Sequence, residues 1–333
     1  MKFDASLPPV PLKSIPDIAR GAESLGFDAL WTAETVHDPF LPGALIAEHS
    51  QRLHFGTGIA VAFARSPANL AYSAWDLAQA SGGRFILGLG TQVKAHIERR
   101  FGMPWPASVT GKLREQIAAI RALWHTWQTG AALDFRGEYY RLSLMSPFFN
   151  PGPIEHPEIP IYIAGVNPGL ARLAGETAQG LLSHPFHTPQ YLSQVMLPAI
   201  QQGLERSSRP RAAFSLCVTA FTVTSPEEDL FVRSQIAFYA STPSYKAVMA
   251  HHGWQETAEQ LSALARQGRW GEMPALVSDE ILAACALVCP PDELGARIKD
   301  RYAGLADRLG LYLPFVPGQR DVFWKSLVKQ ISG

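Results

Sequence analysis

The feature that most constrains the fold of this chain is a regular alternation of strand-like and helix-like segments along its 333 residues. Short apolar segments with strand character are each followed by a segment whose apolar residues have helical spacing. Eight such units predict an α/β fold, a closed (β/α)8 TIM barrel, rather than an open doubly wound sheet. The predicted strands are residues 2–7, 27–33, 54–61, 84–89, 161–164, 180–183, 214–224 and 308–314.

The predicted barrel carries one long addition. Residues from about 226 to 283 have a mostly helical pattern and separate the seventh predicted strand from the eighth. No linker, repeat or low-complexity tract divides the chain, and a single α/β barrel can reach this length. We therefore expect one domain over residues 1–333, with this late helical insertion.

Residues 81–91 read Ser-Gly-Gly-Arg-Phe-Ile-Leu-Gly-Leu-Gly-Thr. An uninterrupted apolar run of this kind is typical of a strand buried on both faces. Its glycine-rich end predicts bare backbone that a ligand could approach, at the end of a barrel strand where active sites lie. Alternatively, these glycines allow close packing of the strand end against neighbouring residues. A dinucleotide fingerprint is absent, because no third glycine follows Gly88 and Gly90 at the required spacing.

Charge and cysteine content exclude several classes of protein. Lys plus Arg and Asp plus Glu each number 29, so the formal net charge is zero. The chain has no excess of basic residues that would indicate nucleic acid as a partner. It also has no polybasic or long apolar segment that would indicate a membrane. The three cysteines lack the spacing of a disulfide framework or a metal site. Since the first residues have no signal-peptide pattern, we expect a soluble cytoplasmic protein without a metal.

Ionisable side chains follow the second predicted strand. Glu34, His37 and Asp38 would lie together at the open end of the barrel. A carboxylate beside an imidazole can transfer protons, so Glu34 and His37 are the candidate catalytic residues. An equally simple interpretation is that Glu34 only orients backbone or neighbouring strands. His184 follows the sixth predicted strand in a similar position.

Residues 163–168, Ile-Ala-Gly-Val-Asn-Pro, predict an anion site. A strand ends there in a short loop, Asn167 can cap the helix that follows, and Pro168 suits its first turn. The amide groups and dipole of that helix would then bind a phosphate. An ordinary helix cap without a ligand is the alternative.

Together these segments resemble the bacterial luciferase-like superfamily of barrel oxidoreductases over nearly the whole chain. Within it, the chain is most similar to the branch that uses the deazaflavin coenzyme F420, which includes methylenetetrahydromethanopterin reductase and a glucose-6-phosphate dehydrogenase. In combination the motifs are specific to the superfamily, but not to one reaction. The matching segments are residues 23–31 with Glu34, 56–59, 65–67, 81–90, 159–165 and 174–180.

The resemblance implies where a cofactor would bind. A cis non-prolyl peptide bond at the end of the third strand would support the isoalloxazine-like ring, and Gly58-Ile59 is the matching position. The end of the fourth strand would contact the cofactor tail, and the loop after the fifth strand would hold its phosphate. The implied cofactor-binding residues are Gly58, Ile59, Ala60, Gly90, Thr91, Gly165, Val166, Asn167 and His184.

The chain departs from the deazaflavin glucose-6-phosphate dehydrogenases at two positions. Thr35 stands where those enzymes have a histidine, and Val93 stands where they have an acidic residue. Their proton-transfer pair is therefore not carried over, and oxidation of a sugar phosphate is not expected. Relatives in the superfamily are commonly dimers, which implies a homodimer.

The leading hypothesis is an F420-dependent oxidoreductase that passes a hydride between the cofactor and a small, fairly apolar organic substrate. Aromatic residues near the open end, including Trp31, Phe63 and Phe186, favour such a substrate. One alternative is a monooxygenase of the same fold that uses reduced FMN and dioxygen. A second is a barrel that binds a cofactor without catalysis, since fold does not determine function.

Overall fold

A computed structural model describes residues 1–332 of the chain. No helix within these residues has both the length and the apolar character needed to cross a membrane. The strands are β1 Lys2–Ser6, β2 Ala29–Thr32, β3 His54–Thr57, β4 Ala60–Val61, β5 Phe85–Gly90, β6 Phe135–Arg136, β7 Arg141–Leu142, β8 Ile161–Gly165, β9 Gly180–Ser183, β10 Ser215–Val223, β11 Ala286–Val288 and β12 Arg308–Leu311. The α-helices are α1 Ile15–Leu25, α2 Leu41–His49, α3 Pro67–Ser81, α4 Lys94–Arg99, α5 Val109–Thr129, α6 Pro168–Thr177, α7 Pro189–Tyr191, α8 Leu197–Arg206, α9 Pro226–Ala240, α10 Lys246–His251, α11 Gln255–Arg266, α12 Asp279–Cys285, α13 Leu294–Tyr302 and α14 Asp321–Ser332.

Parallel strands form a closed ring in the order β1, β2, β3, β5, β8, β9, β10 and β12, and β12 pairs back to β1. The predicted TIM barrel is therefore confirmed. Every residue of β5 is buried, as its unbroken apolar run indicates for a strand covered by helices outside and side chains inside. The short strands β6 and β7 form a separate antiparallel hairpin.

The structure differs from the predicted strands in two places. The third predicted strand, residues 54–61, is interrupted: β3 ends at Thr57, and β4 begins at Ala60 after a cis peptide bond between Gly58 and Ile59. The late insertion contains α9 to α12 as predicted, but the unpredicted strand β11 follows it and extends the sheet beside the carboxyl end of β10. Three residues next to a helix are too few for strand alternation to be recognised.

An ion pair inside the barrel joins the first strand of the ring to the last. The Arg308 guanidinium donates to both Asp4 carboxylate oxygens at 2.8 and 2.7 Å, and the Trp31 indole N–H donates to one of them at 2.9 Å. The Arg308 and Asp4 side chains are only 5% and 3% exposed. Burial raises the pKa of the Asp4 carboxyl, and the Arg308 charge opposes that rise. Each charge is therefore buried with compensation only while its partner is present.

All three cysteines are buried and unpaired. Cys217 lies on β10 and packs inside the barrel with Ile86 and Tyr162, whereas Cys285 and Cys289 lie on either side of β11. Burial raises the pKa of the Cys285 thiol to about 12, and it also raises the pKa values of Cys217 and Cys289. The thiols are therefore protonated and shielded at neutral pH.

Asp4→Ala is expected to lower the free energy of unfolding by about 3–5 kcal/mol, because it leaves the Arg308 charge buried without its partner. Urea denaturation followed by circular dichroism measures the change. Asp134→Ala is the matched control, since the Asp134–Arg136 pair is exposed on the surface, and it should change stability little. Equal losses in the two variants would contradict a special role for the buried pair.

Candidate active site

The carboxyl ends of the barrel strands and the loops that follow them form one face, which we call the mouth. Because the ring strands are parallel, the loops after β2, β3, β5, β8 and β9 all open toward it. In TIM barrels this face holds the active site. The residues predicted from sequence that lie on these loops or strand ends are Glu34, His37, Gly58, Ile59, Ala60, Gly90, Thr91, Gly165, Val166, Asn167 and His184.

The interruption after β3 is held against β5 by a threonine side chain. The Thr57 hydroxyl donates to the Gly88 carbonyl at 2.7 Å and accepts the Gly88 N–H at 2.9 Å. The next peptide, Gly58-Ile59, is cis, as the family resemblance implies. The Gly58 N–H donates to the Thr32 carbonyl at 2.6 Å, which ties the interruption to β2 as well.

Gly88 and Gly90 do not leave bare backbone for a ligand where their side chains would stand. A Cβ atom on Gly88 would lie 1.8 Å from the Thr57 carbonyl oxygen. A Cβ atom on Gly90 would lie 2.7 Å from two carbons of the Ile59 side chain. The expectation of an open glycine face is therefore wrong at these two positions. Because these glycines have no side chain, the residues between β3 and β4 can pack directly against β5. This is the alternative given from the sequence, that the glycines serve close packing.

Glu34 is buried and binds the segment that follows the cis peptide. Its Oε2 accepts the Val61 N–H at 2.7 Å and a guanidinium N–H of Arg65 at 2.6 Å. Its own N–H donates to the Ile59 carbonyl at 3.2 Å. Because these contacts engage Glu34 with backbone and a cation, they favour the interpretation that it orients the loop. Proton transfer by Glu34 stays a prediction.

His37 and Asp38 have environments different from that of Glu34. Asp38 accepts a second N–H of Arg65 at 2.9 Å, so one guanidinium links two residues of the loop after β2. His37 is exposed, and no hydrogen bond joins it to Glu34 in the part of the chain that the structure describes. The predicted carboxylate–imidazole arrangement is therefore replaced by a carboxylate–guanidinium one, while a catalytic role for His37 stays untested.

Gln116, on α5, binds the segment that follows β4. Its Nε2 donates to the Ala62 carbonyl at 2.8 Å and to the Arg65 carbonyl at 3.0 Å. The side chain is fully buried, at 0% exposure. Sequence reasoning missed Gln116 because it is 54 residues from Ala62 along the chain and occupies a helix position that otherwise looks unremarkable.

The end of β5 turns through an unusual backbone conformation. Thr91 is buried, and Gln92 after it has φ of +56°, in the left-handed region that a side chain rarely adopts. Residues of this kind are concentrated at functional sites. The position agrees with the implied contact between Thr91 and a cofactor, which stays a prediction.

The loop before α6 has the local geometry of an anion site. Asn167 is at the N-cap position, but its side chain makes no capping hydrogen bond within residues 1–332, so the predicted cap is wrong. Pro168 has no N–H and the Ala171 N–H donates to the Asn167 carbonyl at 3.1 Å, while no side chain within residues 1–332 accepts from the Gly169 or Leu170 N–H. Free amide groups at a helix N-terminus are the groups that bind phosphate. A Cβ atom on Gly169 would meet only Thr110, at 3.9 Å, so the backbone there is accessible. These features fit a phosphate group.

His184 follows β9 and packs among aromatic side chains of the insertion. Its ring centroid lies 4.3 Å from that of Tyr239 and 4.4 Å from that of Tyr245. Burial, with a smaller contribution from His187, lowers the pKa of His184 to about 3, so the imidazole is neutral near pH 7. Its Nδ1 accepts the Phe186 N–H at 3.1 Å, which leaves the proton on Nε2. His184 can therefore donate a hydrogen bond, but it is a weak base.

Tyrosines from distant parts of the chain complete this side of the mouth. The hydroxyl groups of Tyr239, on α9, and Tyr312, just after β12, lie 3.0 Å apart. The Tyr312 hydroxyl also contacts Oε1 of Gln235 at 3.2 Å. Sequence reasoning found none of these residues, because the pattern of a helical insertion does not show which of its faces meets the barrel.

Comparison with known proteins identifies the family. Residues 3–308 match the family described as luciferase-like monooxygenase. The chain belongs to this family. Its relatives of stated activity are oxidoreductases, so it is an enzyme of that class. Within residues 1–332, no group of three or more His, Cys, Asp or Glu side chains is arranged to hold a metal ion.

Three similar proteins illustrate the relationship. An uncharacterized protein of Mycobacterium tuberculosis is 44% identical over 317 residues, covering 93% of this chain and 92% of its own length. The 5,10-methylenetetrahydromethanopterin reductase of Archaeoglobus fulgidus is 28% identical over 289 residues, covering 84% of this chain and 83% of its own. The structure of the coenzyme F420 dependent tetrahydromethanopterin reductase of Methanopyrus kandleri has the same fold, with a TM-score of 0.79 and 20% identity over 99% of this chain and 98% of that one.

Glu34→Gln is expected to lower the free energy of unfolding by about 2–3 kcal/mol, because it removes the charge that pairs with the largely buried Arg65. Chemical denaturation measures the loss. Glu98→Gln is the control, since Glu98 makes only an exposed contact of 3.8 Å with Lys94. If both variants unfold at the wild-type urea concentration, Glu34 does not stabilise the loop.

Proposed function

We propose that this protein is a coenzyme F420-dependent oxidoreductase that transfers a hydride between the deazaflavin and a small, fairly apolar organic substrate. The observation that carries the proposal is the agreement between a sequence relative and a structural neighbour. Both are reductases acting in methanopterin chemistry, and the neighbour is F420 dependent. The bound deazaflavin would supply the site for hydride transfer, while the protein would orient it and exclude water.

The residues at the mouth are compatible with such a cofactor. The ring would rest on the segment from Gly58 to Ala60, which is followed directly by Val61 and Ala62, the residues that Glu34 and Gln116 bind. The phosphate would bind the first-turn amides of α6 through the loop Gly165, Val166 and Asn167, consistent with the uncapped helix there. Thr91 and His184 would contact the cofactor from the ends of β5 and β9.

The proton that accompanies hydride transfer needs a separate group. The Glu34 carboxylate is engaged by Arg65, and His184 is a weak base because burial lowers its pKa to about 3. Exposed His37 remains a candidate, and the Nε2–H of neutral His184 could hydrogen-bond a substrate oxygen. We also propose that the protein acts as a homodimer.

A luciferase-like monooxygenase that uses reduced FMN and dioxygen is the second candidate. The observation that favours it is the description of the matching family itself. The two candidates require the same fold and differ in the cofactor, so cofactor binding separates them.

Titration of the purified protein with F420 and, separately, with FMN tests the proposal. We expect F420 to bind at least about tenfold more tightly, a difference of about 1.4 kcal/mol. Isothermal titration calorimetry measures both dissociation constants. Tight binding of FMN together with no binding of F420 would overturn the proposal in favour of the monooxygenase.

Asn167→Asp is expected to weaken F420 binding by about tenfold, since the new carboxylate would repel a phosphate at the N-terminus of α6. The same calorimetric titration measures the effect. Asn150→Asp is a matched control, because the Asn150 side-chain oxygen accepts the Gly152 N–H at 2.9 Å and a carboxylate can do the same. An affinity equal to that of the control variant would refute phosphate binding at this loop.

A further inference from the structure

A cavity of about 360 Å³ lies where the N-terminus of α7 meets α12 and α13. None of the residues predicted from sequence to bind a cofactor or to transfer a proton lines it. That volume is within the range of small-molecule sites, about 300–1,000 Å³. The cavity is lined by Thr188, Pro189, Gln190, His252, Ala284 and Arg301.

Arg301, on α13, leaves part of its hydrogen-bonding capacity unused. Its Nη1 donates to the Ala283 and Ala286 carbonyl groups, each at 2.9 Å, and its Nη2 donates to the Ala284 carbonyl. Its Nε is buried and has no partner within residues 1–332. Because a guanidinium has two N–H groups on each Nη and one on Nε, the Nε–H and one Nη2–H remain for another acceptor.

The charge of Arg301 also lacks a carboxylate partner in the described part of the chain. Its acceptors are carbonyl oxygens at the end of α12 and the start of β11, which carry only partial negative charge. Buried polar groups are nearly always hydrogen-bonded, so the unpaired Nε–H indicates an acceptor from outside the chain. Since the donor is a cation, an anionic acceptor is favoured.

The other polar groups of the lining add no second cation. The Thr188 hydroxyl and the His252 Nε2 lie 2.7 Å apart and satisfy each other. Burial lowers the pKa of His252, and the carboxylate of Glu280 opposes that shift from an exposed position, where water screens its charge. The Gln190 side chain is exposed and makes no hydrogen bond within residues 1–332, so its amide N–H groups are available to a ligand.

One cation with two unused N–H groups matches a carboxylate better than a phosphate. The protein already contains this kind of recognition, because Arg308 binds the two oxygens of Asp4 through its Nε and Nη2. A carboxylate carries one charge, which Arg301 alone balances. A phosphate ester carries nearly two near pH 7, so one would enter the cavity without a partner.

We propose that this cavity is a binding site for the carboxylate group of a small molecule, which Arg301 binds through Nε and Nη2 and Gln190 binds through its amide. The carbon chain of the ligand lies against Pro189 and Ala284, which supply the apolar part of the lining. The proposal is independent of the proposed function, since none of these residues is assigned to the cofactor.

Titration of the full-length protein with butyrate tests the site, with butyramide as an uncharged probe of the same shape. Amide-resolved TROSY NMR follows the signals of Gln190 and Ala284 separately from those of Gly169 and Leu170, at the N-terminus of α6. We expect butyrate to shift the Gln190 and Ala284 signals until they saturate, with a dissociation constant at least about fivefold lower than that of butyramide.

Charge changes at Gln190 test the electrostatics without removing a hydrogen bond. Gln190→Glu is expected to weaken butyrate binding by at least about threefold and Gln190→Lys to strengthen it, while butyramide binding changes little. Gln51→Glu is the matched control, since Gln51 is exposed in the turn before β3, and it should leave both affinities unchanged. Arg301→Lys keeps the charge but removes the paired N–H groups, so it should reduce the preference for butyrate over butyramide.

Equal affinities for butyrate and butyramide, or a butyrate affinity that both Gln190 variants leave unchanged, would overturn the site. Shifts confined to Gly169 and Leu170 would place the carboxylate at α6 and would overturn it as well. Inorganic phosphate that shifts the Gln190 and Ala284 signals at lower concentration than butyrate would refute the preference for a carboxylate. The Gln190 variants keep every hydrogen bond of Arg301, so they decide the question even where the lysine variant does not fold.

Discussion

The closure of the barrel depends on the contact between its first and last strands, and the Asp4–Arg308 pair lies inside the ring at that junction. Residues at opposite ends of the sequence must meet before the ring has no free edge. Burying the two charges costs desolvation free energy, and their mutual attraction offsets that cost only when both partners are in position. It therefore favours the observed register of β1 on β12, in which Lys2 lies opposite Arg308 and Asp4 lies opposite Gly310.

The mouth in turn depends on a loop that the barrel alone does not determine. The segment after β3 is held by Glu34 from the loop after β2, by Gln116 from α5 and by the side chain of Thr57 from β3 itself. Glycines on β5 leave the space that this segment fills. A segment held in this way is ordered without a ligand, so little conformational entropy would be lost if the proposed cofactor binds there.

Sequence reasoning could predict the barrel because its signals are local. Apolar runs, turn residues and helical spacing repeat along the chain, and the one predicted strand that breaks, residues 54–61, does so at the position that the family resemblance singled out. The contacts that shape the site are not local: Glu34 meets Arg65 across 31 positions, and Gln235 meets Tyr312 across 77. No periodicity reveals such pairs. Asn167 is a residue type that favours an N-cap position, but the orientation of its side chain determines whether it hydrogen-bonds to the first turn of α6, and the sequence does not show that orientation.

The buried cysteines have a practical consequence. Cys217 lies within the barrel, and Cys285 and Cys289 lie where the insertion rejoins it. A thiol reacts with an alkylating reagent only after it becomes accessible and ionises, so each modification rate reports how often its surroundings open. The chain thus contains natural reporters for two regions. Mass spectrometry of the labelled peptides can distinguish local unfolding of the insertion from opening of the barrel itself, without any introduced probe.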